Sequence, residues 1–366
     1  MDAARTYIFA GGGTGGHLYP GIAVAQELQR REPDARVRFV GSDKVLEESI
    51  LAPYHFEHHS LPVESLRTLK RRPVHFIVRN WQAWRSARLM IRDERPAVVV
   101  GMGGYASAPI VWAANRAGIP VVLLEQNVIP GRTTRWLARS AAVICVSFPE
   151  TAALPTSVRI EVAGNPLRRE IADLHADLPR ANAVPLVLLV IGGSQGADSL
   201  NDAVMIAVQK LTSDLANWRI VHQAGPRQVE SIRATYSKLS VTATVEPFFS
   251  EMADQYREAS LVISRAGATS IAEMTCASLP MILLPYPHAA DDHQRANAKS
   301  LANQGAAIVV EHRTSALETG QELAAQLQPL LNDSMRRKGL GTAAHAIARP
   351  HAAAAVADQI QRLCKQ

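Results

Sequence analysis

Apolar residues along this chain come in short runs, and each run ends in glycine or polar residues before a segment with helical spacing begins. The first run, Tyr7-Ile8-Phe9-Ala10, predicts a strand; it gives way to Gly11-Gly12-Gly13-Thr14-Gly15-Gly16-His17 and then to a helix from about Tyr19 to Arg31. Val37 to Val40, Ala97 to Val100, Pro120 to Leu124 and Ala142 to Val146 repeat the strand pattern. The alternation pauses near Gly164-Asn165-Pro166 and the polar stretch Asp177 to Asn182, then restarts in the same way, with Pro185 to Ile191 running into Gly192-Gly193-Ser194-Gln195-Gly196. Ile220 to His222, Thr244-Val245, Leu261 to Ile263, Met281 to Leu284 and Ile308 to Val310 complete the second series.

Strands alternating with helices argue for parallel βα units. A chain of 366 residues also exceeds the roughly 250 to 300 at which one core stops growing. The expected fold is therefore α/β, with two Rossmann-like doubly wound domains facing a central cleft. They would span residues 1–164 and 165–342, and 343–366 would carry an Ala-rich helix from Ala343 to Cys364 that packs back on the N-terminal domain.

Composition narrows the class. Hydrophobic residues at 47% and charged residues at 20% describe an ordinary globular protein. Cys145, Cys276 and Cys364 are odd in number and lack metal-ligand spacing, which favours a reducing, cytoplasmic setting. No basic leader with an apolar core precedes Tyr7, and no run of 18 apolar residues occurs, so neither a signal peptide nor a membrane span is expected.

The net charge of +6 is concentrated in one place. Ser65 to Arg95 holds nine Lys or Arg against Asp93 and Glu94, so this segment carries +7 and the remainder −1. Phe76, Ile77, Trp81, Trp84 and Leu89 share a predicted helix with Arg79, Arg85, Arg88 and Arg92. Basic heads beside aromatics suit an anionic membrane surface, with Phe76, Trp81, Trp84, Arg85 and Arg88 as the contact. The competing reading is an amphipathic helix whose tryptophans pack on their own domain. Nucleic acid is not an expected partner, since no second basic stripe or recognised binding motif supports it.

The candidate chemistry lies where strands end. Ser264-Arg265-Ala266-Gly267-Ala268-Thr269-Ser270-Ile271-Ala272-Glu273 forms a strand-to-helix turn after Leu261 to Ile263. Gly267 permits close approach of a ligand, the first helical amides suit a phosphate, and Glu273 could accept hydrogen bonds from a ribose. A plain turn with an exposed helix Glu remains the rival for these ten residues taken alone. The loop from Gly11 to Gly16 presents backbone amides to a diphosphate or a sugar. It has neither the Gly-Lys-Ser/Thr of a nucleoside-triphosphate loop nor the dinucleotide spacing.

His17, at the helix start, could take a proton from a hydroxyl, its ordinary pKa being ~6.5; the alternative is a histidine that only caps or packs. Gly101 to Ser107 and Glu125-Gln126-Asn127 also follow strands, and so occupy the carboxyl ends where open α/β sheets bind ligands. His17 is the first choice of base and Glu125 the second. No Asp-X-Asp site for a metal-bridged nucleotide occurs, so activity without an obligatory metal or cofactor is expected.

Gly-Gly-Gly-Thr-Gly-Gly-His, Gly-Met-Gly-Gly-Tyr-Ala-Ser, Glu-Gln-Asn, Gly-Asn-Pro-Leu-Arg, Gly-Gly-Ser-Gln-Gly, Arg-Ala-Gly-Ala and Asp-Asp-His-Gln occur in one order along nearly the whole chain. Together they make it resemble the peptidoglycan N-acetylglucosaminyltransferases of the GT-B superfamily. The resemblance implies inverting transfer of N-acetylglucosamine (GlcNAc) from UDP-GlcNAc to the 4-hydroxyl of N-acetylmuramoyl-pentapeptide on undecaprenyl diphosphate, the step from lipid I to lipid II. It implies a peripheral enzyme on the cytoplasmic face of the cell (inner) membrane, with other cell-wall synthesis proteins as partners.

Position by position, donor contacts would fall on Thr14, Gly15, Gly16, Asn127, Arg168, Ser194, Phe249, Ala268, Thr269, Ser270, Ile271, Ala272, Glu273 and Gln294. The acceptor diphosphate would meet Gly12, Gly13, Gly103, Gly104 and Tyr105. Leu124 departs from the pattern, since many members place a second histidine there, and Phe249 replaces the more usual Ile. Three rivals remain: a related UDP-sugar transferase with another lipid or glycoside acceptor, a non-catalytic sugar-nucleotide binder at the membrane, and a nicotinamide dehydrogenase. The last lacks its glycine fingerprint.

Overall fold

The computed structural model describes residues 4–43, 45–176, 185–192 and 198–365 and, of Leu66 and Arg67, the backbone. The chain divides into two compact units, Met1–Arg168 with His351–Gln366, and Arg169–Pro350. The sequence reading put these boundaries at 164/165 and 342/343.

Unit 1 is built on a seven-stranded parallel sheet of β1 (Thr6–Gly11), β2 (Arg36–Ser42), β3 (Glu57–Leu61), β4 (Val98–Gly103), β5 (Val121–Glu125), β6 (Val143–Val146) and β7 (Arg159–Val162), in the order β3-β2-β1-β4-β5-β6-β7. Its central strands read as continuous apolar runs because both faces are covered. Successive side chains of β1 point to opposite faces. Tyr7 and Phe9 join Ile22, Leu28 and Phe39 in one core, while Ile8 and Ala10 join Ala83, Ile91 and Ile110 in the other.

The edge strands β3 and β7 escaped the sequence reading. Glu57-His58-His59-Ser60-Leu61 and Arg159-Ile160-Glu161-Val162 lack an apolar run, and pair through their backbones at the two sheet margins. Arg38 on β2 pairs with Glu57 across the register and with Glu94.

Unit 2 carries a six-stranded parallel sheet of β8 (Leu186–Ile191), β9 (Trp218–Gln223), β10 (Ala243–Glu246), β11 (Leu261–Ser264), β12 (Met281–Leu283) and β13 (Ile308–Val309), in the order β10-β9-β8-β11-β12-β13. Its core gathers Leu188, Val190, Leu200, Val204, Ile220, Ile263 and Leu327. In both sheets the first strand lies beside the strand that begins the opposite run, so each has one switch point, between β1 and β4 and between β8 and β11. Such crevices at strand carboxyl ends are where doubly wound folds bind ligands.

The single terminal helix expected from Ala343 to Cys364 is two. Ser334–Ile347 packs within unit 2, the helix is interrupted around Pro350, and Ala352–Leu363 belongs to unit 1. There Val356, Ala357 and Ile360 enter the core beside the helix Gly15–Arg31, and Arg31 Nη1 donates to Asp358 Oδ1 at 2.6 Å and Gln361 Oε1 at 3.0 Å.

Candidate active site

At the switch point of unit 1 two glycine turns meet backbone to backbone. Gly11 (φ +136°) sits at a register shift between β1 and β4, and a Cβ on it would strike the Gly103 carbonyl. Gly104 (φ +73°) lies so close that a Cβ there would stand 2.9 Å from the Gly12 carbonyl oxygen. Only glycine satisfies both the left-handed backbone and this approach.

The following helix begins at Gly15, four residues before the sequence reading placed it, so Gly15, Gly16 and His17 form its first turn and Thr14 is the N-cap without a side-chain bond. His17 Nδ1 is 3.2 Å from the Gly12 carbonyl oxygen and 3.5 Å from Thr14 Oγ1. A carbonyl only accepts, so this contact places the proton on Nδ1 and the proton-accepting lone pair on Nε2. The ring lies against Gly103, where a Cβ would be 3.1 Å from Cδ2. Tyr105 is half-buried beside Gly104, and the Arg168 guanidinium stacks over the Tyr19 ring at 4.8 Å.

One residue of this site was absent from the sequence reading. Glu47, fully buried, accepts from the Gly13 amide at 2.7 Å, from the Ser42 amide at 3.0 Å and from the Ser42 hydroxyl. Burial alone would raise its pKa; the nearby His58 imidazole, with hydrogen bonds from the Ser42 hydroxyl and the backbone amides of Gly13 and Ser42, outweighs that and holds the carboxyl below the usual range. The Gly13 amide, expected to face a diphosphate, is therefore turned to a carboxylate. Nothing in Val45-Leu46-Glu47-Glu48 marks one glutamate as the buried one, because the burial comes from β2 and the glycine loop.

Glu125, the second choice of base, is buried at the end of β5. Its carboxylate accepts from the Asn127 amide at 3.0 Å, from Asn127 Nδ2 at 3.3 Å and from the Gly131 amide at 3.0 Å. These bonds tie the carboxylate into the loop between β5 and the next helix.

In unit 2, Ser194 lies in 193–197, outside the described residues. On the other side of the switch point β11 leads through Arg265, Ala266 and Gly267 into the helix Ala268–Cys276. Gly267 is its N-cap and the first turn, from Ala268 through Thr269 and Ser270, contains no acidic residue to offset the positive end of the helix. Ile271 and Ala272 continue that helix, Ile271 into the core. Glu273, expected to be exposed if this were a plain turn, is buried, and its Oε2 accepts from the Tyr256 hydroxyl at 2.9 Å.

Arg265 anchors the same corner. Its guanidinium is buried, donates to the Leu284 carbonyl at 2.9 Å and Ser199 Oγ at 2.7 Å, meets His312 Nε2, and lies 5.7 Å from the Tyr286 ring centre. Burial pushes its pKa down to about 10, so it stays charged at neutral pH. His312 is lowered to about 4, by burial first and by the Arg265 charge second, and remains the neutral acceptor. The Phe249 amide donates to Gln223 Oε1 at 3.3 Å, and the Tyr286 amide donates to Gln294 Oε1 at 2.9 Å. Asp291 and Asp292 both adopt left-handed backbone, at φ +51° and +56°, in the turn that delivers Gln294 into its helix. Two consecutive non-glycine residues in that region cost free energy, and such strain gathers at ligand sites.

The basic segment forms the helix Pro73–Glu94. Ile77, Trp81 and Leu89 are exposed, while Phe76 and Trp84 are half-buried. Trp84 packs against Trp112 at 6.4 Å, and Trp112 against Trp136 at 6.3 Å, the latter two on the helices Ala108–Arg116 and Arg132–Leu137. Arg85 lies over Trp81, Arg88 over Trp84 and Arg116 over Trp112 at 5.8, 5.8 and 4.5 Å. The aromatic face is thus three helices wide, with Trp81 56% and Trp136 65% exposed. Trp84 packs on its own unit, as the competing reading expected, whereas Trp81 faces out. The sequence reading missed Trp112 and Trp136, although Arg116 and Arg135 stand near them. Among the described residues no helix is long and apolar enough to cross a membrane.

Two all-parallel doubly wound sheets, each with a glycine-bearing turn leading into a helix at its switch point, fit a nucleotide-sugar glycosyltransferase of the GT-B type. Residues 7–146 match the glycosyltransferase family 28 N-terminal domain and residues 187–362 the glycosyltransferase family 28 C-terminal domain. The chain belongs to glycosyltransferase family 28.

A Geobacter sulfurreducens relative is 39% identical over 359 residues, covering 96% of this chain and 97% of its own, and is named UDP-N-acetylglucosamine--N-acetylmuramyl-(pentapeptide) pyrophosphoryl-undecaprenol N-acetylglucosamine transferase. One from Syntrophus aciditrophicus, of the same name, is 39% identical over 98% of both chains. The crystal structure of Acinetobacter baumannii MurG superposes with a TM-score of 0.78 at 32% identity, over 98% of this chain and 99% of that one. A Neisseria meningitidis UDP-GlcNAc 2-epimerase shares the fold alone, with a TM-score of 0.70 at 12% identity over 98% of this chain and 100% of that one.

Proposed function

We propose that this protein transfers N-acetylglucosamine from UDP-GlcNAc to the 4-hydroxyl of lipid-linked N-acetylmuramoyl-pentapeptide, converting lipid I to lipid II in peptidoglycan synthesis. The names of its near-full-length relatives support the substrates. The observation that carries the chemistry is the His17 Nδ1 contact with the Gly12 carbonyl, which leaves Nε2 as the proton acceptor at the mouth of a loop stripped of side chains.

In this reading His17 Nε2 takes the proton of the acceptor 4-hydroxyl as its oxygen forms a bond to the sugar C1. The bond from C1 to the UDP oxygen breaks on the opposite side, inverting the anomeric centre through an oxocarbenium-like state. UDP leaves with its electron pair. The charge it gains is met by the amino-terminal end of the helix Ala268–Cys276, with Arg265 fixed behind it, so that departure proceeds without protonation by a general acid. Glu273, held by Tyr256, receives the ribose hydroxyls. Thr14, Gly15, Gly16, Asn127, Arg168, Ser194, Phe249, Ser270 and Gln294 are assigned to the donor, and Gly12, Gly103, Gly104 and Tyr105 to the acceptor diphosphate.

The exposed apolar side chains Ile77, Trp81 and Trp136, interleaved with Arg85, Arg88 and Arg116, support peripheral attachment to an anionic membrane surface. Because the acceptor carries an undecaprenyl chain, attachment would be to the leaflet that displays it, on the cytoplasmic face.

Incubating the protein with labelled UDP-GlcNAc and a short-chain lipid-linked muramoyl peptide tests the proposal. Formation of the disaccharide-linked product is expected, and UDP release without acceptor dependence, or transfer only to a different lipid or glycoside in an acceptor panel, would overturn it.

A further inference from the structure

The fully buried carboxylate of Glu47 lies on the hidden side of the loop that ends in His17, and its partners connect it to that histidine. Its Oε1 accepts from the Gly13 amide at 2.7 Å. A Cβ on Gly12 would stand 2.6 Å from the carboxylate, and one on Gly41 would overlap it, so both positions are glycine to admit Glu47. The Gly12 peptide is thus confined between Glu47 on one side and Gly104 on the other, the latter so near that its missing Cβ would lie 2.9 Å from the Gly12 carbonyl oxygen. That same carbonyl receives His17 Nδ1 at 3.2 Å. Ser42, through its amide and hydroxyl, holds the carboxylate from behind, and His58 Nε2 stands 3.6 Å away on β3.

We propose that Glu47 is a positioning residue for His17: by fixing the Gly12-Gly13 peptides it sets the carbonyl that keeps the imidazole proton on Nδ1 and Nε2 ready to accept. The idea rests on the assignment of His17 as base in the transfer reaction. It also explains why an acidic side chain is tolerated under a loop assigned to a diphosphate. The carboxylate faces the sheet, its charge is met by the Gly13 amide and by Ser42, and only the outward face of the loop serves the ligand. A carboxylate replaced by an amide of the same shape cannot accept from Gly13, the Ser42 amide and the Ser42 hydroxyl together, since one of its two acceptor atoms becomes a donor.

The test uses the full-length protein labelled with ¹⁵N-histidine, His17→Gln serving to assign the His17 ring nitrogens. Long-range ¹H–¹⁵N correlation spectra of wild type are expected to show the Nδ1–H tautomer, and those of Glu47→Gln a mixture of both tautomers. In the transfer assay Glu47→Gln should lower kcat about tenfold, a fraction of the roughly 10²–10⁴ that a positioned base supplies, while the dissociation constant of UDP measured by calorimetry stays within about twofold. An unchanged tautomer or an unchanged kcat in Glu47→Gln overturns the inference. Should wild type transfer no GlcNAc to the lipid-linked acceptor, the proposed function fails and the tautomer comparison alone decides the role of Glu47. Should Glu47→Gln not fold, Ser42→Ala takes its place, with a smaller change in the same direction expected and an unchanged tautomer counting against the proposal.

Discussion

Tyr256 donates its hydroxyl proton to Glu273 Oε2 at 2.9 Å, with both side chains buried and 17 residues apart in the chain. The bond turns a helix glutamate into an oriented acceptor. It ties the short helix Met252–Glu258 to the one whose amino-terminal end is assigned to the donor phosphates.

Removing that hydroxyl should affect the ribose and little else. Tyr256→Phe is expected to weaken UDP binding about fivefold to tenfold, the ~1 kcal/mol net worth of a typical hydrogen bond, with kcat less affected than KM for UDP-GlcNAc. Calorimetry with UDP and with 2′,3′-dideoxy-UDP checks it. The preference for the ribose diol should shrink, whereas equal losses for both ligands would reduce Tyr256 to a packing role.

His17→Ala should lower kcat by roughly 10²–10⁴ without altering the dissociation constant of UDP. Gly103→Ala should act in the same direction by another route. It forces a side chain onto φ +101° and brings a Cβ within 3.1 Å of the imidazole, displacing the ring. Full turnover in His17→Ala would remove His17 as base.

The buried polar group in unit 2 predicts a pH response unrelated to catalysis. His222 Nδ1 meets the Tyr236 hydroxyl at 2.8 Å and its Nε2 meets Asn201 Oδ1 at 3.0 Å, and burial lowers its pKa to about 3. The unfolded chain therefore binds a proton near pH 6.5 that the folded one refuses until about pH 3. The resulting stability is present in full above pH 6.5 and is lost as pH falls through that window, at about 1.4 kcal/mol per unit. Melting temperatures between pH 7 and 5 should drop less steeply in His222→Gln than in wild type; parallel slopes would locate the acid sensitivity elsewhere.

On the aromatic face, each arginine near an anionic surface contributes about 1 kcal/mol. Arg85→Gln combined with Arg88→Gln should lower partitioning onto phosphatidylglycerol-containing vesicles about 30-fold, from ~2 kcal/mol, and leave binding to neutral vesicles little changed. Trp136→Ala should weaken both, because the indole contributes apolar area. Vesicle sedimentation that detects no loss in the double arginine variant would detach this face from the membrane.

The inner strands of both sheets were legible because a parallel strand covered on two faces must be apolar throughout, as Val98-Val99-Val100 and Leu188-Leu189-Val190 are. Their order was not. Glu57 to Leu61 and Arg159 to Val162 are strands only because a neighbour offers backbone partners, and the edges they occupy place no demand on side chains. The terminal helices were legible as helix but not as two, since the break near Pro350 separates a segment of one unit from a segment of the other.

The sequence by itself determined the alternation of strand and helix, the glycines at strand ends, His17 and Glu273 within their motifs, and one basic aromatic segment. These are local properties, written in spacing and residue type. Only the tertiary structure decided that Glu47 lies under the glycine loop, that Tyr256 holds Glu273, that Glu125 is taken up by Asn127 and Gly131, and that Trp112 and Trp136 extend the face begun by Trp81. The reason is physical: whether a carboxylate is buried, and which group meets it, depends on segments brought alongside by the sheet.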